Sequence, residues 1–541
     1  MALSSATMAR AQPAPEGVDP GLISGERPVP RDRDAERRAT PTVEVERALP
    51  STPGPTGQSI QVGAITLSGL ERLTPADFTD ILTNSIGRRF SPKALYGLTN
   101  AIANRMRARG YVFATATIAP QRMTAGVLIV TVDEGRIDEV RFDGPVSKAV
   151  QSDLAPLAGA GPVTKGEVER RLLLAGDNSG TRIRSSKFFR EGGRGILLVS
   201  ASHDPATVRM ALTNQGTRTI GPVQLRIDAD LNGLIDSRDR LSISVTGTPA
   251  QPSELQFGRI RYARDLNSEG TEIALSATGS ATRPGSYLAP LGFRSRSWAV
   301  GASLTQPLLR RRAASFWLEG ELGLRSFRQW RTDTLVRYDR LSTARLTVYG
   351  NAKIAGGLWR VSAGVTQGLG WLGTTAPGDP LATRSDADGT YTVFSLWSDW
   401  TADLGHGLSL RLAGQGQLAA QPLPLSEEMA LGGTAFLRGY DWGERSGDRG
   451  VAGLAELRYL IDQPLGLVRR AQVYAFADGG VVSNLQGGSG GGSLASAGGG
   501  LRIDLTPRMG TTVEVAVPLS GPRYDTGTQS AKINLGLIRS F

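Results

Sequence analysis

The feature that most constrains this chain is an alternation of apolar and polar side chains with a period of two residues, which recurs from residue 206 to residue 541. It is clearest in residues 223–232, 241–246, 408–412, 501–505 and 513–517. Successive side chains of a strand point to opposite faces, so each segment is predicted to be a strand with one apolar and one polar face. Alternation over ~10 residues is typical of strands that cross a membrane in a closed barrel. The alternative is a soluble β-sandwich of ~100 residues, but the region is far longer, so the barrel is favoured.

Membrane crossing by helices is not predicted, because the sequence has no run of ~18 apolar residues. All eight Trp residues follow position 290, which suits aromatic girdles at the two membrane interfaces. The residues Ala9-Arg10-Ala11 resemble the end of a secretory signal cleaved after Ala11, or match it by chance. Residues 1–58 are therefore interpreted as a signal remnant followed by a linker rich in Pro, Arg, Glu and Thr.

Two small mixed α/β units are predicted between the linker and the barrel. Residues 59–135 have the order strand, helix, helix, strand, strand, and Thr74-Pro75 and Ser91-Pro92 open the helices by a cap followed by proline. Residues 136–205 repeat this order more faintly. A supersecondary unit that repeats after about 70 residues indicates a tandem array.

Composition argues against several kinds of chemistry. The chain has no cysteine and two histidines, so disulfides, Cys-based metal sites and a Ser/His catalytic centre are not expected. No cofactor or metal is predicted, and an enzyme is the least supported class. The net charge is +11, but acidic residues are mixed among the basic ones, so nucleic-acid binding is not predicted. Motif matches at 368–373 and 487–491 lack the strand and helix context that they need, and Glu427 and Glu428 are expected in a solvated loop.

Two short motifs near the C-terminal end carry specific chemistry: Leu437-Arg438-Gly439-Tyr440 in a glycine-rich loop, and Phe476-Ala477-Asp478-Gly479-Gly480 at the end of a strand. An arginine in a barrel lumen is costly unless it is paired, and a guanidinium can bind a carboxylate through two hydrogen bonds. Gly439 is expected to let the loop turn tightly beside Arg438.

At these residues the chain resembles a known family, the outer-membrane transporters of two-partner secretion, which are haemolysin/haemagglutinin secretion and activation proteins. The family belongs to a wider superfamily of barrel-assembly and polypeptide-translocating proteins. The run RARGYVFATATIAPQRMTAGVLIVTVDEGRIDEVRFDG, which ends at residue 144, resembles the family's first periplasmic POTRA domain. The two motifs near the C-terminal end carry the rest of the likeness, which covers roughly residues 60–541 in domain order.

The resemblance implies a mainly β fold, in which a 16-stranded transmembrane antiparallel β-barrel follows two periplasmic α/β POTRA domains. Their expected limits are 59–135 and 136–205 for the POTRA domains, 206–541 for the barrel, and 431–450 for a loop folded into it. In the family, the arginine of this loop pairs with an aspartate of the inner wall, and here these roles fall on Arg438 and Asp478. The pair is expected either to fix only the loop and barrel shape or to matter for transport as well. Around this pair, Leu437, Gly439 and Tyr440 complete the loop motif, Phe476 and Gly480 complete the wall motif, and Phe541 is the C-terminal strand signal.

The implied function is export of an unfolded partner exoprotein across the outer membrane of a Gram-negative bacterium. The expected partners are a large secreted exoprotein of the adhesin or haemolysin type, outer-membrane lipid, and the barrel-assembly machinery for the chain's own insertion. An insertion factor of the same superfamily is the alternative, and a passive porin or receptor is a weaker one. A plug helix, common at the start of family members, is doubtful because prolines interrupt every helix candidate in 12–58.

Overall fold

The computed structural model describes residues 43–45, 59–159, 161–466 and 468–541. The signal-like start and nearly all of the Pro-rich segment within 1–58 lie outside the described residues. Among the described residues, no helix is long and apolar enough to cross a membrane.

The N-terminal part contains nine strands and four α-helices in its described residues. The strands are β1 (Glu44–Val45), β2 (Ile60–Gln61), β3 (Ala64–Ser68), β4 (Arg89–Phe90), β5 (Thr115–Thr117), β6 (Val127–Asp133), β7 (Glu139–Asp143), β8 (Thr181–Glu191) and β9 (Arg194–His203). The helices are α1 (Thr79–Thr83), α2 (Pro92–Ala108), α3 (Lys148–Leu154) and α4 (Lys165–Asp177), with 3-10 turns at Pro75–Phe78 and Ala155–Leu157.

The two predicted α/β units share one topology. The first sheet has the order β3-β6-β5, and the second contains β7-β9-β8 in the same arrangement. In each unit the outer strand that comes first in the chain runs parallel to the central strand, and the other outer strand runs antiparallel to it. Ser91 caps α2 and Thr164 caps α4 through their side-chain oxygens, which satisfies backbone N–H groups at the helix starts. In the second sheet, β1 adds parallel to the free edge of β8.

The two units pack against each other through an aromatic contact. Phe113 of the first unit is buried in the apolar core of the second. Its ring stacks on Phe188 of β8 with the centroids 4.0 Å apart. Arg190 adds an ion pair to Asp133 of the first unit at 2.6 Å. The two units thus share part of one apolar core.

The described residues after 205 form a closed antiparallel barrel of sixteen strands. These are β10 (Ala206–Thr213), β11 (Gln224–Asn232), β12 (Asp239–Gly247), β13 (Gln256–Asp265), β14 (Glu272–Thr282), β15 (Phe293–Arg310), β16 (Ala314–Arg331), β17 (Thr334–Ile354), β18 (Gly357–Leu369), β19 (Thr392–Gly405), β20 (Leu408–Ala419), β23 (Arg449–Leu465), β24 (Val468–Ser483), β25 (Gly492–Thr506), β26 (Met509–Pro518) and β27 (Lys532–Ser540). The short strands β21 (Met429–Leu431) and β22 (Arg445–Gly447) pair only with each other. The barrel closes where β27 pairs with β10, so no edge is left.

The alternation in the sequence corresponds to the two faces of the barrel wall. Val513, Val515 and Val517 of β26 are exposed on the outer face, whereas Glu514 and Ala516 between them are buried on the inner face. Backbone groups are paired around the closed wall, and the outward side chains are apolar, as a lipid environment requires. The predicted barrel fold is confirmed.

The second α/β unit docks on the turns at one end of the barrel. Asp177 at the end of α4 binds Arg310 through two hydrogen bonds of 2.7 and 2.6 Å. Glu269, in the turn between β13 and β14, pairs with Arg170 at 2.6 Å and Arg171 at 2.7 Å. We refer to this end as the docked end of the barrel and to the opposite one as the far end.

Candidate functional site in the barrel lumen

The candidate site is built by the connection between β20 and β23, which leaves the far end of the barrel and folds back into the lumen. Its two arms pair as β21 and β22. Its tip carries Leu437 and Tyr440, and both are fully buried. Phe436, Leu437 and Tyr440 share an apolar cluster with wall residues of β23 to β26. We call residues 420–448 the lumen loop.

The tip of the lumen loop makes a tight turn between Leu437 and Tyr440, and Arg438 and Gly439 are its two central residues. Leu437 has a left-handed backbone with φ of 62°, and the N–H of Tyr440 donates to its carbonyl at 3.0 Å. Gly439 does not adopt a left-handed conformation. It is needed for another reason: a Cβ there would lie 2.8 Å from Cβ of Ser496 and 2.9 Å from the backbone nitrogen of Pro518. Only glycine lets the tip lie this close to the wall.

Arg438 projects from the tip into the wall and is 4% exposed. Its Nη2 lies 2.6 Å from a carboxylate oxygen of Glu456, and its Nη1 lies 2.7 Å from one of Glu514. The guanidinium carbon also lies 3.7 Å from the ring centroid of Phe476, within cation–π range. Two carboxylates and an aromatic face therefore hold the buried charge.

The structure brings Arg438 next to Asp478, the partner expected from the resemblance, in an unexpected geometry. Asp478 accepts the backbone N–H of Arg438 at 3.2 Å, while the Nε of the guanidinium is 3.7 Å away. Its other oxygen accepts the hydroxyl of Ser496. Asp478 thus positions the loop backbone, and Glu456 and Glu514 bind most of the guanidinium.

Sequence reasoning missed Glu456 and Glu514 as partners of Arg438. A signal was present, because Glu514 lies between the outward Val513 and Val515, so strand parity alone turns it into the lumen. What the sequence could not supply is the register that places β23 and β26 on opposite sides of the same arginine.

The wall carboxylates have further partners of their own. Glu456 is also bound by Arg458 at 2.6 Å and Arg502 at 3.0 Å. Glu514 accepts the hydroxyl of Tyr474 at 2.9 Å and the amide of Asn534 at 3.0 Å. The network therefore contains charged and neutral donors, and each buried carboxylate has more than one.

The remaining residues of the two motifs pack the loop against the wall. The hydroxyl of Tyr440 donates to the carbonyl of Gly521 at 3.2 Å, in the connection between β26 and β27. Gly480 makes room for Leu431 of β21, since a Cβ there would lie 3.1 Å from Cδ2 of that leucine. Phe541, the predicted C-terminal signal, follows β27, and its N–H donates to the carbonyl of Val208 at 2.9 Å. Phe541 thus extends the pairing at the closing seam.

A second buried arginine holds the base of the lumen loop at the far end. Arg384, between β18 and β19, lies 2.9 Å from Glu428 and 2.7 Å from Asp448, one on each arm of the loop. It also donates to the carbonyl of Leu485, between β24 and β25, at 2.7 Å. The expectation that Glu428 is solvated was wrong: it is 4% exposed, and its burial is tolerated because Arg384 is its partner. Arg384 thus joins three connections of the far end.

Fold and site together define a class of protein: a transmembrane β-barrel with N-terminal α/β repeats and a loop folded into its lumen. The lumen loop is held by apolar contacts, ion pairs and hydrogen bonds instead of by a continuous sheet. No group of acidic, His or Cys side chains suited to a metal ion is present among the described residues. The buried Arg438 and its wall carboxylates hold and position a peptide segment.

Comparison with known proteins identifies the family within this class. The chain belongs to the haemolysin secretion/activation protein family (ShlB/FhaC/HecB), whose match covers residues 192–503, more than half of the chain. Residues 60–135 match the ShlB-type POTRA domain. The chain is an outer-membrane transporter of two-partner secretion, with its POTRA region in the periplasm. The docked end of the barrel is accordingly periplasmic and the far end extracellular.

Individual relatives are distant in sequence but alike over most of their length. The outer membrane transporter CdiB of Escherichia coli is 23% identical over 457 residues, which cover 78% of this chain and 72% of that protein. The heme/hemopexin transporter protein HuxB of Haemophilus influenzae is 23% identical over 482 residues, covering 82% and 80%. The solved structure of CdiB from Escherichia coli superposes with a TM-score of 0.73 at 20% identity, over 94% of this chain and 95% of the other. This structural likeness supports the fold.

Proposed function

We propose that the chain captures an unfolded exoprotein of the adhesin or haemolysin type in the periplasm and passes it through the barrel lumen. In this proposal residues 59–135 and 136–205 act as two POTRA domains, and residues 206–541 form the pore. The observation that carries the proposal is the lumen loop, which occupies the path through the pore and is held there by the buried Arg438. The barrel sits in outer-membrane lipid after insertion by the barrel-assembly machinery, and it has no catalytic role.

Capture is proposed to use the outer sheet edges of the two POTRA units, where a client segment would take the place of β1 at the edge of β8. An extended peptide can add to such an edge, with main-chain hydrogen bonds providing affinity. The edge of β8 supports this, because the extended residues Glu44 and Val45 already pair with Lys187 and Phe188 there. The common topology of the two units supports treating the second as a POTRA domain like the first.

Transport is proposed to require release of the lumen loop. The motif residues Leu437, Arg438, Gly439 and Tyr440 would hold the resting loop against Phe476, Asp478 and Gly480 of the wall. A client strand that enters the lumen needs the volume that the tip occupies. The contacts of Arg438 with Asp478, Glu456 and Glu514 would thus regulate access to the pore. Folding of the client outside the cell would drive export, since no ATP-binding motif is visible in the sequence.

The test is export of the exoprotein encoded beside this gene, expressed with and without the chain in a host with two membranes. Arg438→Ala should abolish or severely reduce client in the medium while the barrel remains in the outer membrane. The matched control is Arg360→Ala, which removes another inward arginine whose partner Asp399 keeps Arg411 at 2.6 Å. Export at the normal level by Arg438→Ala would refute the role of the loop.

A second variant tests the periplasmic units. Deletion of residues 60–205 should stop export even when the barrel inserts correctly. Continued export would refute capture by the POTRA units. Retention of the client in the periplasm both with and without the intact chain would refute export and favour an insertion factor or a porin.

A further inference from the structure

Two arginines stand directly opposite each other on the outer face of the barrel. Arg296 of β15 pairs in register with Arg328 of β16, and both are exposed. Their direction follows from strand parity: Trp298, Val300 and Leu304 of β15 share the parity of Arg296 and are exposed on the outside. Like charges directly opposite on neighbouring strands destabilise a sheet, so this pair needs an explanation.

The pair belongs to a larger positive surface on three neighbouring strands. Arg294 of β15 and Arg340 of β17 face outward at the same end, and with Arg296 and Arg328 they form what we call the outer arginine patch. Aromatic rings support it: the guanidinium of Arg328 lies 4.9 Å from the ring of Tyr338, and that of Arg294 lies 5.3 Å from the ring of Trp330. These stacking contacts hold the arginines against the wall with their planar faces covered.

The outer arginine patch lies at the extracellular border of the apolar belt. Arg310, at the other end of β15, binds Asp177 of the periplasmic unit, so Arg294 and Arg296 are at the extracellular end. The outward apolar run of β15 extends from Trp298 to Leu308, ten residues or ~33 Å along a strand and about 25 Å along the membrane normal for the usual tilt, and Arg296 lies just beyond it. The patch is therefore level with the headgroups of the outer leaflet.

The charge of the patch is largely uncompensated by the protein. Among the described residues, the arginines of the patch form one ion pair, which joins Arg294 to the highly exposed Asp333 at 3.6 Å. The periplasmic end of the same strand differs, because Arg310 there has a carboxylate with two hydrogen bonds. A cluster of arginines beside an apolar belt is costly without a counter-ion, and here the counter-ion has to come from outside the chain.

We propose that the outer arginine patch binds the phosphate groups of the phosphorylated glycolipid that forms the outer leaflet, the lipid A part of lipopolysaccharide. A guanidinium group binds phosphate oxygens through two parallel hydrogen bonds. Two arginines that stand opposite each other can therefore bind the same phosphate with two such pairs of hydrogen bonds. Trp298 and the apolar residues below it face the acyl chains of the same lipid. A phosphate ester anchored in the leaflet fits both the charge and the depth of the patch.

The test measures lipid binding by the purified full chain in detergent. The probes are bis-phosphorylated lipid A, the same lipid without phosphates, and inorganic phosphate. The double variant R296A/R328A should bind bis-phosphorylated lipid A about 30-fold more weakly, since each surface arginine contributes about fivefold in affinity for an anionic lipid. The matched control is Arg539→Ala, which removes an outward-facing arginine at the periplasmic end and should leave the affinity unchanged.

Three results would overturn the proposal: equal affinity of R296A/R328A and the parent chain, equal binding of lipid A with and without phosphates, or full displacement of lipid A by millimolar inorganic phosphate. The last would indicate a simple phosphate site. If R296A/R328A fails to assemble, R296K/R328K keeps the charge but lacks the paired donors. It should retain assembly and bind lipid A more weakly than the parent chain, and unchanged binding would contradict the role of the guanidinium forks.

Discussion

Replacing Arg438 by alanine is expected to release the lumen loop from the wall. Removal of one partner from a buried ion pair costs about 3–5 kcal/mol. We expect the lower end here, because Glu456 keeps Arg458 and Arg502, and no wall carboxylate is left alone. About 3 kcal/mol corresponds to a shift of about a hundredfold in the equilibrium between docked and released loop.

A single cysteine can report this shift, because the chain has none of its own. Ala516 of β26 is fully buried beneath the lumen loop, and Ala516→Cys is a small change. Its reaction with a water-soluble thiol reagent should be slow in the parent chain and about a hundredfold faster with Arg438→Ala, in proportion to the fraction of released loop. Arg360→Ala is the control and should leave the rate unchanged. Equal rates in the Arg438→Ala chain and its parent would show that the loop does not depend on this arginine.

Three further changes test other parts of the structure. Gly439→Ala should also raise labelling of the buried cysteine, because its Cβ would meet the wall, whereas Gly466→Ala in an open turn should not. Arg384→Ala should expose the extracellular connections to external protease, because it removes their common partner; unchanged cleavage would contradict this. Phe113→Ala should lower the free energy of unfolding of the two packed POTRA units by about 3–5 kcal/mol. It should also make their junction sensitive to periplasmic protease. Phe188→Leu keeps an apolar side chain in the same core, and its junction should resist the protease better than that of Phe113→Ala.

The barrel could be predicted from the sequence because its physical cause is local. A lipid outside and water inside impose alternation on every strand, as in Val513, Glu514 and Val515, and this pattern survives without any long-range information. The two α/β units were predictable for a similar reason, since their helix starts carry caps at Ser91 and Thr164.

The candidate site was only partly predictable because its contacts join distant strands. The resemblance identified Arg438 and Asp478, but the partners Glu456 and Glu514 depend on the curvature of the closed wall. Glu428 looked solvated in the sequence for the same reason, since its partner Arg384 is 44 residues away in another connection. The role of Gly439 depended on a close approach to Ser496 that no local pattern encodes.

The other partners of the wall carboxylates explain why an arginine can hold the lumen loop and still release it. Replacing a buried ion pair by apolar residues is often neutral or stabilising, so stability alone does not require Arg438. When the loop leaves, however, water replaces the lost contacts of Arg438, and the wall is not left with bare charges. Glu456 keeps two arginines, Glu514 keeps Tyr474 and Asn534, and Asp478 keeps Ser496. Release already exposes the apolar side chains of Phe436, Leu437 and Tyr440 to water, and an apolar residue in place of Arg438 would add to this cost, which grows with the exposed area. An arginine at the tip, facing wall carboxylates that have partners of their own, therefore gives a loop that docks in one position and can still be displaced by an entering polypeptide.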